Sequence, residues 1–178
     1  SLDSTNSAVQ ALGVGATMTD SLSFASADGT AQTVTITITG ANDAATIAGD
    51  TTGAATEDVS TAVTGTLTAT DTDTGQSSMA DKSSTASTYG TYSMSSGAWT
   101  YSLDNSNAAV QALAASATMT DSLSFASADG TAQTVTITIT GANDAPTVAT
   151  EIADASTNED ASYSLDVTSS FSAVDTGD

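Results

Sequence analysis

The stretch ATMTDSLSFASADGTAQTVTITITGANDA occupies Ala117–Ala145 and recurs letter for letter at Ala16–Ala44, an offset of 101 residues. A fixed period of this fidelity marks tandem copies of one structural unit, and its length suits a small globular domain rather than a solenoid coil. Inside the block, Thr134-Val-Thr-Ile-Thr-Ile-Thr140 alternates strictly. Val135, Ile137 and Ile139 fall on one face of a strand and the threonines on the other, the pattern of a half-buried strand. Met119, Leu123 and Phe125 alternate in the same way upstream, and Asp129-Gly130 supplies a hairpin turn between the two runs. The block is therefore a β-hairpin with one core face.

Working outward, Val63, Gly65, Leu67 and Ala69 alternate with threonines and give another strand, which runs into the turn Asp71-Thr-Asp-Thr-Gly75. Gln76 to Ser87 is polar and reads as a loop. Tyr89 to Met94 and Ala98 to Leu103 form a hairpin around Ser95-Ser96-Gly97, with Trp99, Tyr101 and Leu103 on one face as the largest apolar groups available to a core. Asn107 to Ala115 spaces Val110, Leu113 and Ala114 for one or two helical turns. Many short strands with turn signals and almost no helix predict an all-β fold: tandem antiparallel β-sandwich domains of Ig-like or cadherin-like type joined end to end. Ser1 to Ala41 matches Ser102 to Ala142, so residues 1–41 are expected to be the later part of a first sandwich, 42–146 a complete one and 147–178 the start of a third. Partial units of this kind fit either an excerpt of a longer protein, the preferred reading, or domains completed by other chains through donor-strand exchange.

The chain has 178 residues, no Cys, no His, one basic residue (Lys82) and 21 acidic ones, for a formal charge of −20. Nucleic acid and anionic membrane surfaces are excluded as partners by that balance. No disulfide holds the fold, and no apolar run is long enough to span a membrane. Catalysis has little footing: without His or Cys, proton transfer would fall to carboxylates, Tyr or Lys82, and no phosphate-binding loop or transition-metal ligand set is present. The chain is expected not to be an enzyme. Repulsion among the carboxylates has to be offset, and divalent cations are the natural means.

Together, GTLTATDTDTG, YGTYSMSSGAWTYSLDNSNAAVQALAASATMTDSLSFASADG and TVTITITGANDAP resemble the VCBS repeat, a cadherin-like or Ig-like module of very large bacterial surface proteins. The resemblance covers essentially all of residues 1–146. The third unit, with Ile152, Asn158-Glu159-Asp160, Tyr163, Leu165 and the run Phe171 to Asp178, resembles the start of a dystroglycan-type cadherin-like domain. What the resemblance implies is an extracellular module strung in long arrays on the bacterial surface, often exported by type I secretion and associated with adhesion and biofilm. Three positions depart from the related patterns: Gln76 where an Asp is common, Ala45 where the second copy has Pro146, and Ala173 where an Asp is usual.

Calcium takes six to eight oxygen ligands from carboxylates, amides and carbonyls. At the first junction the sequence offers Asn42-Asp43, Glu57-Asp58 and Asp71-Thr-Asp73, the last two acids on one side of an extended strand. At the second, the same order recurs as Asn143-Asp144, Glu159-Asp160 and Asp175-Thr-Gly-Asp178. These twelve residues are the candidate ligands of interdomain Ca2+. Asp121 stands apart: it shares the inward lane of Leu123 and Phe125, and is expected at the sandwich rim, accepting backbone N–H bonds from a loop or, as the alternative, binding an ion. The expected function is a calcium-rigidified spacer of a large adhesin or surface fibre, whose partners are neighbouring repeats of the same chain. A self-assembling filament of like chains and a glycan- or host-protein-binding domain are the alternatives.

Overall fold

In the computed structural model, which describes residues 1–177, the duplicated block folds twice into the same hairpin. The first copy is preceded by a single helical turn, α1 (Ser7–Gln10), and consists of β1 (Thr17–Ala25) and β2 (Ala31–Thr39). Then follow β3 (Thr46–Gly49), β4 (Thr52–Thr56), β5 (Val63–Thr70), β6 (Lys82–Ala86), β7 (Gly90–Ser95), β8 (Ala98–Leu103) and the turn α2 (Ala108–Gln111). The second copy of the block supplies β9 (Thr118–Ala126) and β10 (Ala132–Thr140), and β11 (Thr147–Val148) and β12 (Phe171–Ser172) pair in the third unit.

Residues 46–140 form a two-layer sandwich. One sheet has the order β3-β5-β8-β7-β6 and the other β4-β10-β9. The second sheet is mixed, because β4 runs parallel to β10 while β9 is antiparallel to it. Between the layers lie Leu67, Met94, Trp99, Tyr101, Leu123, Phe125, Val135, Ile137 and Ile139. The alternation read in the sequence thus points each apolar residue inward and each threonine outward, and burying one such large side chain contributes about 1.5–3 kcal/mol. Tyr92 and Phe125 meet edge to face with ring centroids 5.3 Å apart. Gly65 pairs with Trp99 across β5 and β8, and a Cβ there would meet the indole at 2.4 Å, so the ring lies flat over the strand only because the partner is glycine. Trp99 donates its indole N–H to the Asp50 carbonyl at 3.0 Å, which satisfies its one polar atom.

The expected hairpin of β7 and β8 forms around Ser96 and Gly97, both at positive φ (50° and 82°), as a two-residue hairpin turn requires. The stretch 76–87 is not all loop. It holds β6, and Met79 bridges Ser127 on the opposite sheet. Lys82 anchors this edge by donating to the Ser124 carbonyl at 2.9 Å while its ammonium stands over the Tyr92 ring. The helical segment is one turn, capped by the Asn107 side chain, with Val110 fully buried.

Candidate metal centre at the two joints

Each joint between units is built by the same pair of backbone contacts. At the first, the Asp43 N–H donates to Asp73 Oδ2 at 2.9 Å and the Thr74 N–H donates to the Ala11 carbonyl at 3.1 Å. At the second, Asp144 N–H meets Asp175 Oδ2 at 3.0 Å and Thr176 N–H meets the Ala112 carbonyl at 3.1 Å. Ala11 and Ala112 cap the C-terminal ends of α1 and α2. The acidic turn of each following unit therefore seats on the helical turn of the one before it.

The acidic turn is shaped by its own side chains. Asp71 Oδ1 accepts the Asp73 N–H at 2.8 Å, so the two acids are held by a side-chain-capped turn beyond β5 and not by strand alternation. Asp73 and Asp175 are almost fully buried (2% and 5% exposed), and each leaves Oδ1 without a hydrogen-bond donor. Asp71 Oδ2, Asp144 Oδ2 and Gln76 Oε1 are likewise buried and unpartnered. Buried polar atoms in folded proteins find a partner in the great majority of cases. Both joints thus present a group of buried oxygens that no protein donor reaches.

Glu57 and Asp58 are not at the first joint, where their nearness in sequence to Asn42 had placed them. They belong to the second. The reason is β4: it lies parallel to β10, so it carries the chain from the start of the sandwich to its far end, where the Glu57 N–H donates to the Thr140 carbonyl at 2.9 Å. Glu57, 1% exposed, accepts the Ala142 N–H at Oε2 (3.0 Å) and the Gln111 side-chain amide at Oε1 (3.1 Å). The same amide reaches Asp58 Oδ1 at 3.2 Å. Burial pushes the Glu57 carboxyl above its ordinary range against the pull of the Ala142 N–H, and the charges of Asp144, Asp58 and Asp175 raise it further. Asp144 is raised by burial, then by Asp58 and Asp175. Four carboxylates from two units therefore share one electrostatic environment at the second joint.

Glu159 and Asp160 are exposed. Asp160 repeats the positive φ of Asp58 (63° and 60°), which marks Glu159-Asp160 as the third unit's counterpart of Glu57-Asp58. Asn42 and Asn143 turn their side-chain amides back onto the carbonyls of Asp43 and Asp144 and are exposed. Asp178 lies outside the described residues. Among the described residues, no three acidic side chains already stand in a closed ligating arrangement. One residue that sequence reasoning passed over, Gln111, binds two acids of the second joint. The signal for Gln111 was its recurrence as Gln10 in the preceding copy, on a helical turn where it adds nothing to the core.

Asp121 is buried as its lane required, 1% exposed. It accepts the Tyr89 N–H and the Tyr101 hydroxyl, each at 3.0 Å, and the Thr88 N–H at 3.3 Å. Burial alone would raise its pKa; the hydrogen bonds and the nearby Ser87 hydroxyl outweigh it and hold the carboxyl below its ordinary range. Ser87 itself makes no bond of normal geometry. Asp121 is a structural residue inside the sandwich and not at its rim, opposite Ile137 in mid-strand, and Trp99, Tyr101 and Phe125 belong to the core, which removes them from any recognition surface.

The donor set at the joints is all oxygen, which suits a hard cation and not a transition metal. The arrangement is a pair of hydrogen-bonded couplings, one to the segment before the sandwich and one to the segment after it. No curated protein matches the chain at a significant level. Residues 42–141, more than half of it, match the family described as the bacterial cadherin-like domain, whose members are typically non-catalytic repeat modules of adhesin type. The chain belongs to the bacterial cadherin-like domain family.

Proposed function

We propose that this chain is a non-catalytic, calcium-rigidified spacer in a large extracellular adhesin or surface fibre of a bacterium, with VCBS-type units at 1–41 and 42–146 and the start of a dystroglycan-type unit at 147–178. The observation that carries the reading is the set of buried carboxylate oxygens without donors, Asp71 Oδ2 and Asp73 Oδ1 at one joint and Asp144 Oδ2 and Asp175 Oδ1 at the other. The residues fit a bound Ca2+. At the second joint Glu57, Asp58, Asp144 and Asp175 would hold it, and at the first Asp43, Asp71 and Asp73 with the Gln76 amide oxygen. Bound there, the ion supplies positive charge that offsets mutual repulsion and links carboxylates of successive units. The chain's own groups do the positioning. The Asp73 and Asp175 carboxylates fix the linkers through the Asp43 and Asp144 amides, and Gln111 orients Glu57 and Asp58.

The charge balance supports the same reading. The one basic side chain, Lys82, is committed to the Ser124 carbonyl, so the 21 acids have no basic side chain at the joints to neutralise them. Neighbouring repeats of the same chain are the partners, secretion of type I delivers the array, and the product is a stiff rod holding an adhesive tip away from the cell in adhesion and biofilm. Extracellular calcium modules bind with dissociation constants on the order of 10⁻⁴–10⁻³ M, so about 10 mM calcium should stabilise by about 1–3 kcal/mol per site. Melting followed by Trp99 fluorescence should move up on calcium addition and down in chelator, and small-angle scattering should show a longer, narrower particle with calcium. Superimposable melts and scattering curves in calcium and chelator would refute the proposal.

A further inference from the structure

We infer that Asp129, in the turn between β9 and β10, is a latch that fixes the first joint without any ion, and that the second joint replaces this latch with the ring of Pro146. Asp129 lies 84 residues after Ala45, yet its Oδ2 accepts the Ala45 N–H at 3.1 Å. The same oxygen receives the Asn42 side-chain amide at 3.4 Å and the Thr131 hydroxyl at 2.6 Å. Oδ1 takes the Thr131 N–H at 3.0 Å and the Ser127 hydroxyl. Every acceptor position of this carboxylate is thereby used by protein donors, unlike the unpartnered acids of the joint, and Asp129 is not available as a cation ligand.

The duplicated block repeats the turn: Asp28 occupies the identical position in the first copy and makes the same local bonds, to Ser26 and to the Thr30 N–H. The turn chemistry is therefore built into the block. In the four-residue linker Asn42-Asp43-Ala44-Ala45, the Asp43 N–H is pinned by Asp73 and the Ala45 N–H by Asp129. Two carboxylates of the following unit thus clamp the linker at alternate residues, and Ala45 tucks its methyl into the core at 8% exposure. The corresponding linker reads Asn143-Asp144-Ala145-Pro146. Proline has no N–H, so a latch at that position is chemically impossible; the fixed φ of proline restricts the chain instead. The difference between Ala45 and Pro146 is a change of device.

The test is amide hydrogen exchange on the full chain in chelator, comparing wild type with Asp129→Ala, Asp129→Asn, Asp28→Ala and Ala45→Pro. The Ala45 amide should exchange on the order of tenfold faster in Asp129→Ala than in wild type, the size expected for one lost charge-assisted hydrogen bond, and Asp28→Ala should leave it unchanged. Asp129→Asn keeps the size and an acceptor, so it should fold even where alanine does not and show an intermediate rate. Ala45→Pro exchanges the latch for the proline ring, so its Asp43 amide should stay near the wild-type rate while Asp129→Ala speeds it, and adding Asp129→Ala to Ala45→Pro should change nothing further. Calcium titrations of wild type and Asp129→Asn should coincide. Equal Ala45 exchange in wild type and both Asp129 variants, or Asp43 exchange in Ala45→Pro as fast as in Asp129→Ala, would overturn the latch. A shifted calcium midpoint in Asp129→Asn would overturn its independence of the ion. Because the exchange is read in chelator, it stands or falls separately from calcium binding.

Discussion

The two copies of the 29-residue block have the same sequence and the same hairpin, but different surroundings. Register is identical: Leu22 faces Val34 as Leu123 faces Val135, and Asp20 faces Ile36 as Asp121 faces Ile137. Burial is not. Phe125, Val135 and Ile137 are 2%, 0% and 0% exposed, whereas Phe24, Val34 and Ile36 are 58%, 45% and 44% exposed. Local sequence thus sets the strand pairing by alternation and turn chemistry, and the opposite layer of the sandwich supplies the core.

Substituting the same residue in each copy breaks the comparison most sharply. Phe125→Ala should cost about 3–5 kcal/mol, the usual range for emptying a packed aromatic site, while Phe24→Ala should cost well under ~1 kcal/mol. Urea denaturation monitored at Trp99 gives both values, and equal costs would mean that the layers around Phe125 contribute little. Asp121→Asn should come next, at about 2–3 kcal/mol, because the Tyr89 and Thr88 N–H groups and the Tyr101 hydroxyl would face an amide in place of a carboxylate. Its pH signature follows from the lowered pKa. A carboxyl held below its ordinary value of 3.8 stabilises the fold above that value and loses the contribution as pH falls through the lower folded value. Wild type should therefore lose stability more steeply than Asp121→Asn below about pH 4, which acid titration of the urea midpoint in chelator measures.

Large alternating residues made the central strands readable: β5, β7, β8, β9 and β10 all follow from period-2 patterns flanked by turn residues. Within the sandwich, the strands that escaped notice are β3, β4 and β6, and each lies at the edge of its sheet. Edge strands bury one flank and can be short and polar, as Thr-Gly-Ala-Ala-Thr and Lys-Ser-Ser-Thr-Ala are, so they carry little hydrophobic alternation. Missing β4 had a further consequence. The acidic residues were legible from their type, but only a strand parallel to β10 takes Glu57 away from Asn42 and delivers it to Asp144 and Asp175. Spacing along the chain cannot reveal that crossing.

The reassignment of Glu57 sharpens a second comparison, between the joints. Glu57→Gln should remove most of the calcium response at the second joint and leave the first intact, and Asp73→Asn should do the reverse. Each loss is worth about 1–3 kcal/mol of calcium-dependent stability at about 10 mM ion. Backbone amide shifts at Asp43 and Asp144, followed through a calcium titration, assign the response to its joint. A Glu57→Gln protein whose Asp43 shift fails to move would return Glu57 to the first joint.

The smallest expected effect comes from a position where the two copies diverge just before the block. Ser116 holds a φ of 66°, in the left-handed region, and its counterpart one repeat earlier is Gly15 at 78°. The conformation is imposed by the close return of the chain after the helical turn: the Ser116 N–H donates to the Gly141 carbonyl at 3.1 Å, and a Cβ on Gly141 would meet the Leu113 carbonyl at 2.1 Å. The backbone there has no freedom to relax, so the side chain carries the strain. Serine in this region costs about 1 kcal/mol relative to glycine, partly offset by the greater unfolded-state entropy that glycine brings. Ser116→Gly should therefore raise stability by about 0.5 kcal/mol, and Gly15→Ser should lower the order of the first hairpin's entry without touching the urea midpoint read at Trp99. A destabilised Ser116→Gly would mean that the serine side chain earns its place through a contact outside the turn, and that the copies differ there by function instead of drift.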